Sequence, residues 1–203
     1  LNSGDSSNTG VVISGFQRCT NSPSSLGAVD IRRGRHILNQ KIQTSENVFY
    51  STGTSVSHTI FNGQAQITSD NSGKLFDFNN PNGVFIYNGA SGDRNVRANS
   101  NTITDGTLII DSYLEHYGSS YPSNRFCFNL SGGTLEINNK IKYHQNTIGS
   151  GIIDMSGGYL KLNGAQLIHG DGTGSYAYAI DLNSGAHSGS IFNNSFTNLT
   201  PFG

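Results

Sequence analysis

Two segments of the chain repeat each other at a spacing of 25 residues. Residues 126–138 read FCFNLSGGTLEIN, and residues 151–163 read GIIDMSGGYLKLN. Both have an apolar strand before Ser-Gly-Gly, a second apolar strand after it, and a closing asparagine. A unit this short cannot bury its own apolar face, so neighbouring copies must stack to make a continuous core. The repeat therefore predicts a solenoid.

Short segments rich in β-branched and aromatic residues recur along the rest of the chain, each bounded by Gly, Asn, Ser or Asp. No segment has apolar residues at helical spacing over three turns, and glutamate occurs only three times, so long helices are excluded. We expect an all-β chain that forms a right-handed parallel β-helix with rungs of about 25 residues. A β-sandwich is the alternative.

The corners of such a coil have sequence signals of their own. Gly-Gly suits sharp turns that need a positive φ. Asn39, Asn88, Asn138 and Asn163 each follow a short apolar strand, so we expect their side chains to stack as a hydrogen-bonded ladder along one corner. The irregular stretches 112–124 and 169–176 are expected to be loops that protrude from the coil.

Composition excludes several classes of function. Twelve basic and 13 acidic residues give no electrostatic attraction to nucleic acid or to an anionic membrane. No run of about 18 apolar residues is present, so membrane insertion is not expected. Six scattered histidines lack metal-ligand spacing, and we expect neither a metal nor a cofactor. Cys19 and Cys127 are far apart and are expected to be free.

Four carboxylates are candidate catalytic residues. A glycosidase needs two carboxyl groups about 5–9 Å apart. Asp111 and Glu115 lie at the mouth of the longest expected loop, where functional residues concentrate. Asp154 and Asp181 occupy equivalent strand positions, as Asp30 and Asp77 do, and equivalent positions stack at about 4.8 Å. The alternative is that alternation simply places these strand aspartates on the solvent face.

Two arginines are candidate binding residues. Arg33 and Arg35 would project on the same side of a strand, unless Gly34 breaks the alternation. A guanidinium fork matches the carboxylate of an acidic sugar. A solvated surface or a subunit contact is the alternative.

Tyrosines in the two expected loops are further candidates for substrate binding. Tyr113, Tyr117 and Tyr176 present aromatic rings, which can stack on sugar rings. They can equally pack the loops onto the helix.

The segment 126–199, which ends in IFNNSFTN, resembles the pectate-lyase-like right-handed β-helix superfamily. Within it, the scarcity of charge, the abundance of Asn, Gly and Ser, and the missing start are similar to phage tailspike and tail-fibre domains. The resemblance implies a homotrimer that binds bacterial surface polysaccharide along its long face, together with other virion tail proteins. Many members also cleave the polysaccharide.

We therefore expect residues 1–203 to form a single β-helix domain of a longer chain, located in the virion tail. A polysaccharide lyase or glycoside hydrolase of the same fold is the first alternative. A bacterial surface adhesin is the second, and a secreted or cell-surface location would go with these alternatives.

Overall fold

The computed structural model describes residues 11–13, 16–19, 29–39, 41–44, 47–67, 73–89, 97–98, 100–118, 126–144, 150–169, 177–182 and 190–195. Within these ranges there are strands and turns but no helix. Every strand pairing is parallel and joins one coil to the next. The chain is thus a β-solenoid, as predicted, and the β-sandwich alternative is wrong.

The strands in chain order are β1 (Val11–Ile13), β2 (Phe16–Cys19), β3 (Val29–Asp30), β4 (Gly34–Leu38), β5 (Lys41–Thr44), β6 (Phe49–Thr52), β7 (Ser57–Phe61), β8 (Gln64–Ile67), β9 (Phe76–Tyr87), β10 (Arg97–Ala98), β11 (Asn101–Ile110), β12 (Leu114–Gly118), β13 (Phe126–Leu130), β14 (Thr134–Ile137), β15 (Lys140–His144), β16 (Ser150–Met155), β17 (Tyr159–Asn163), β18 (Gln166–His169), β19 (Ala177–Leu182) and β20 (Ser190–Ser195).

Each coil passes through three faces in turn. The first face stacks β3, β6, the start of β9 and of β11, β13, β16 and β19. The second face stacks β1, β4, β7, the end of β9 and of β11, β14, β17 and β20. The third face holds β2, β5 and β8 in one sheet and β10, β12, β15 and β18 in another. The long strands β9 and β11 run through the corner and join the first two faces into one sheet.

Alternation along the strands sends apolar side chains inward, and they form one core. Aromatic rings fill the part of the core nearer the N-terminus, where Phe49 lies 4.8 Å from both Phe61 and Phe85 between ring centroids. Aliphatic side chains fill the later coils, where Leu135 and Leu160 are register partners and both fully buried. Each coil therefore has a narrow core that only its neighbours complete.

Glycines form the corner between the first and second faces. Gly106, Gly133 and Gly158 all have positive φ, between 65° and 81°. A Cβ on Gly133 would lie 2.5 Å from the carbonyl oxygen of Gly106, and one on Gly158 would lie 2.8 Å from that of Gly133. Side chains are excluded here because the backbones of successive coils touch. This explains why Ser-Gly-Gly recurs in the sequence.

Asparagines form the corner between the second and third faces, as predicted. The Nδ2 group of each donates to the side-chain oxygen one coil earlier: Asn62 to Asn39, Asn88 to Asn62, Asn138 to Asp111 and Asn163 to Asn138, at 2.7–3.3 Å. The partners are 23, 26, 27 and 25 residues apart. The sequence analysis did not place Asn62 or Asp111 in this ladder.

The expectation of a loop over 112–124 is wrong at its start, because Leu114–Gly118 is the strand β12. The same error applies across the third face, none of whose strands was singled out from the sequence. These strands are short and carry few apolar residues, as Lys140–His144 (KIKYH) and Gln64–Ile67 (QAQI) illustrate. They are strands because register with their neighbours supplies the hydrogen bonds that their composition does not predict.

Candidate functional site

Strands β12 and β15 position a polar group on the outside of the third face. Leu114 and His116 point inward and are buried, so the intervening Glu115 points outward. Alternation in β15 places Lys140, Lys142 and His144 on the same outer side. Glu115 and Lys142 are register partners.

The Glu115 carboxylate contacts two other members of this group, His144 and Lys142. Its Oε1 atom lies 2.6 Å from Nε2 of His144 and 3.9 Å from Nζ of Lys142. Because a carboxylate oxygen accepts, His144 donates through Nε2, and a contact this short is typical of a charge-assisted bond. The Glu115 side chain is only 11% exposed, so its charge is partly shielded from water by its two partners.

An aromatic ring lies against another lysine of the same outer side. Nζ of Lys140 sits 4.4 Å from the centroid of the Tyr113 ring, in cation–π geometry. Tyr113, Glu115, Lys140, Lys142 and His144 together are called the third-face cluster below. It combines an aromatic platform, two ammonium groups, one carboxylate and one imidazole. Its two lysines outnumber its single carboxylate, so it suits an anionic ligand.

The inner side of the same strands is buried. His116 and Tyr143 are register partners with ring centroids 5.4 Å apart, and both are fully buried. Burial raises the pKa of the Tyr143 phenol far above its ordinary value. Burial likewise raises the pKa of the Cys127 thiol well above 9.0. Cys127 is free, as predicted, and the side chain of Cys19 lies outside the described residues.

The four predicted catalytic carboxylates fall on different parts of the coil. Asp111 is a member of the asparagine ladder, where Oδ1 accepts from Asn138, and Glu115 belongs to the third-face cluster. Asp154 lies on the first face in register with Asp181 on one side and Asn129 on the other. The structure thus brings Asp154 and Asp181 onto adjacent strands, and it places neither beside Glu115. The side chain of Asp181 lies outside the described residues.

The predicted arginine pair is separated by a corner. Gly34, with φ of 89°, breaks the alternation between Arg33 and Arg35. The carbonyl oxygen of Arg33 accepts a 2.7 Å hydrogen bond from Nε2 of His36. Arg35 is exposed on the second face and lines an open groove of about 710 Å³ with Gly34, Val56, Ser57, His58, Asn82 and Val84.

Of the three predicted tyrosines, the structure describes the side chain of one. Tyr113 is part of the third-face cluster through its contact with Lys140, and its role in binding stays a prediction. The backbone of Tyr117 is in register with His144, but its side chain lies outside the described residues, and so does Tyr176.

Sequence reasoning missed Lys140, Lys142 and His144. The usable signal was the strict alternation of polar and apolar residues in KIKYH over 140–144, which is the pattern of a half-buried strand. Nothing local linked these residues to Glu115, because the His144 and Glu115 side chains that meet are 29 residues apart.

Comparison of the chain with protein-family models, with curated proteins and with solved structures gives no match in any of the three. Across the described part of the chain, no helix is long and apolar enough to cross a membrane. The described side chains also include no group of three or more His, Cys, Asp or Glu arranged to hold a metal ion.

Proposed function

We propose that this β-solenoid binds an acidic polysaccharide along its third face. The observation that carries the proposal is the third-face cluster, in which Lys142 lies 3.9 Å from Glu115 and Lys140 lies over the Tyr113 ring. The lysine ammonium groups match sugar carboxylates, and the aromatic ring offers an apolar surface to a sugar. A chain ligand that follows the solenoid axis meets an equivalent strand about every 4.8 Å.

The biological setting follows the resemblance described above. We propose that the chain is part of a phage tail spike or tail fibre that contacts polysaccharide on the bacterial surface, assembled as a homotrimer with other tail proteins of the virion. A bacterial surface adhesin would use the same third face in the same way, in a different location.

A titration of purified bacterial capsular and lipopolysaccharide chains tests the binding function. We expect binding to chains that carry uronic acids and weaker or no binding to neutral chains. Lys142→Ala should weaken binding about tenfold, because it removes a cation at the centre of the cluster. Failure to bind any acidic chain in the panel would contradict the proposal.

The chain offers a matched control on another face. Lys161 pairs with Glu136 at 3.6 Å, and these residues are register partners on the second face, as Lys142 and Glu115 are on the third. Lys161→Ala should leave binding unchanged. Equal losses from Lys142→Ala and Lys161→Ala would mean that overall charge, and not the third-face cluster, determines binding.

A second candidate function is cleavage of the same polysaccharide, and the 2.6 Å contact between Glu115 and His144 favours it. A carboxylate joined to an imidazole can move a proton. The cluster contains one carboxylate, so β-elimination suits it better than hydrolysis by paired carboxylates. In that step the imidazole of His144 would take the proton on the carbon next to the uronic acid carboxylate, the bond between the adjacent carbon and the glycosidic oxygen would break, and the leaving oxygen would take a proton from water. Lys142 would stabilise the negative charge that develops on the uronic acid carboxylate.

The enzymatic candidate has a direct test. Incubation with a uronic acid polymer should produce unsaturated ends, seen by ultraviolet absorbance, and new reducing ends. Glu115→Gln and His144→Asn should abolish the product while retaining part of the binding. Tight binding without any product would leave the chain as a binding protein.

A further inference from the structure

An open groove on the outer side of the second face has a cation at one end and apolar side chains along the rest. Its volume is about 710 Å³, within the range of pockets that take small organic ligands. Three of its lining residues occupy one outward position on successive strands, where Arg35 is the register partner of His58 and His58 of Val84. The other lining residues are Gly34, Val56, Ser57 and Asn82. This space is called the Arg35 groove below.

The side of the Arg35 groove that lies at the corner is held by hydrogen bonds from both neighbouring coils. The amide N–H of Gly34 donates to the carbonyl oxygen of Val56 at 2.9 Å. From the next coil, Nδ2 of Asn82 donates to the carbonyl oxygen of Thr54 at 2.6 Å. The corner segment is thus fixed on both sides, so the groove is formed without a ligand and little ordering opposes binding.

The guanidinium of Arg35 has no carboxylate partner among the described residues. Neither an aspartate nor a glutamate is among the described residues that line the groove, and the neighbouring His58 can add an imidazole N–H. A guanidinium of this kind matches a carboxylate through two parallel hydrogen bonds. Other cations in the described ranges do have carboxylate partners: Arg32 with Asp30, Lys74 with Asp77, Lys142 with Glu115 and Lys161 with Glu136.

Apolar side chains surround the rest of the groove. Val56 is 73% exposed, and Ile37 is 40% exposed on the same outer side as Arg35, two residues earlier in its strand. Two of the three large hydrophobic residues that remain exposed in the described ranges therefore lie beside Arg35. Apolar exposure concentrated around a groove indicates a binding site. The next two strands carry isoleucine at the position equivalent to Ile37: Ile60 and Ile86.

We propose that the Arg35 groove binds an organic carboxylate with an unbranched apolar tail. The carboxylate would pair with Arg35, and the tail would lie across the strands over Val84 and the outward isoleucines. An acidic sugar suits the groove less well, because its ring hydroxyl groups would face valine and isoleucine side chains without hydrogen-bond partners. This site is on a different face from the third-face cluster, and the proposal does not depend on polysaccharide binding.

The surface that the tail can cover has a defined length. Ile109 continues the isoleucine positions on β11, but Glu136 and Lys161 take the same position on the next two coils. Between the strand of Arg35 and the strand of Ile109 there are three strand spacings of about 4.8 Å, or roughly 14 Å in all. This length fits a single alkyl chain of medium length, such as that of octanoate.

Isothermal titration calorimetry of the whole chain with octanoate tests the proposal. We expect octanoate to bind at least tenfold more tightly than acetate, which lacks the tail, and than octanol, which lacks the charge. Arg35→Gln should weaken octanoate binding at least tenfold and leave octanol binding unchanged. Val56→Ser changes an exposed side chain that lines the groove and should weaken both about threefold.

Lys161→Gln, which removes the same charge from another exposed position of the second face, is the matched control and should leave octanoate binding unchanged. Circular dichroism checks that each variant keeps its strands. Absence of octanoate binding would overturn the proposal, and so would binding that Arg35→Gln leaves unchanged, since the ligand would then lie elsewhere.

An acidic sugar provides a further comparison. Tighter binding of a galacturonate oligomer than of octanoate, lost in Arg35→Gln, would overturn the proposal, because the groove would then be a sugar site. Lys142→Ala, which removes a cation of the third-face cluster, should leave octanoate binding unchanged. The proposals for the two faces therefore fail separately.

Discussion

The glycine corner and the asparagine corner of this solenoid hold successive coils together by opposite means. At the glycine corner the backbones touch, and the space for a Cβ on Gly133 is already occupied by the backbone of Gly106. At the asparagine corner the backbones leave room for side chains, and amide groups such as those of Asn138 and Asn163 bridge the coils at 2.7 Å. One corner works by the absence of side chains and the other by their presence.

The difference determines how each corner tolerates change. Steric exclusion is abrupt, because a buried backbone contact cannot relax without moving a whole coil. A hydrogen bond in contact with water contributes modestly, because water replaces part of what is lost. We therefore expect substitutions at the glycine corner to destabilise the fold far more than substitutions in the asparagine ladder.

The largest effect is expected for Gly133→Ala. It should lower the free energy of unfolding by about 3 kcal/mol or more, since the new methyl group adds overlap with Gly106 to the cost of a positive φ. Urea denaturation followed by circular dichroism measures the loss.

Gly53→Ala is the matched control for this prediction. Gly53 also has a positive φ, of 97°, but a Cβ there would meet nothing within 4 Å. Its cost should be limited to about 1–2 kcal/mol of backbone strain. Equal losses at the two positions would show that backbone conformation, and not close packing of coils, governs the glycine corner.

A smaller effect is expected for Asn138→Ala. Asn138 donates to Asp111 and accepts from Asn163, so its removal breaks the ladder on both sides and should cost about 1–2 kcal/mol. Within the described ranges, Asn39→Ala removes one ladder bond, the one that Asn62 donates, and should cost about half as much. If thermal unfolding shows no difference between the two variants, the bonds do not act as a ladder.

The smallest effect is expected for Asp111→Asn, and it has the opposite sign. A carboxylate accepts from Asn138 and offers no N–H to the preceding coil, whereas an asparagine amide there is expected to donate toward Asn88, which follows Tyr87, the register partner of Ile110. The substitution should raise the free energy of unfolding by about 0.5 kcal/mol. Asp105→Asn removes the same charge and keeps the acceptor for the amide of Gly106, so it should have no effect. A gain in both variants would point to net charge as the cause.

The sequence predicts more of the corners than of the faces. Ser-Gly-Gly and the closing asparagine are visible because each corner imposes a particular residue type at each coil. The third face imposes only a weak alternation, so its strands, including the strand of Glu115, were not recognised. Asn62 escaped notice because asparagine is common in this chain and one match carries little weight.

Candidate site residues were predicted only in part for a related reason. Glu115 and Tyr113 were singled out for their chemistry, and the structure places both in the third-face cluster. Lys142 and His144 could not be assigned to Glu115, since coils of unequal length leave the register between distant strands open. Asp111 was singled out by the same chemical reasoning, and the structure places it in the asparagine ladder, where Oδ1 accepts from Asn138; its catalytic role stays a prediction.

The amino-acid sequence by itself determined the class of fold, because a 25-residue unit with a narrow apolar content can bury its core only by stacking. It also marked the recurrent Ser-Gly-Gly of one corner and four of the asparagines of the other. Only the tertiary structure decided what each outer face presents. Register across coils brings Glu115 to Lys142 and His144 on the third face. It also aligns four isoleucines of the second face that no local pattern connects: Ile37, Ile60, Ile86 and Ile109. Outward side chains make few contacts within their own coil, so their neighbours are set by how the coils stack.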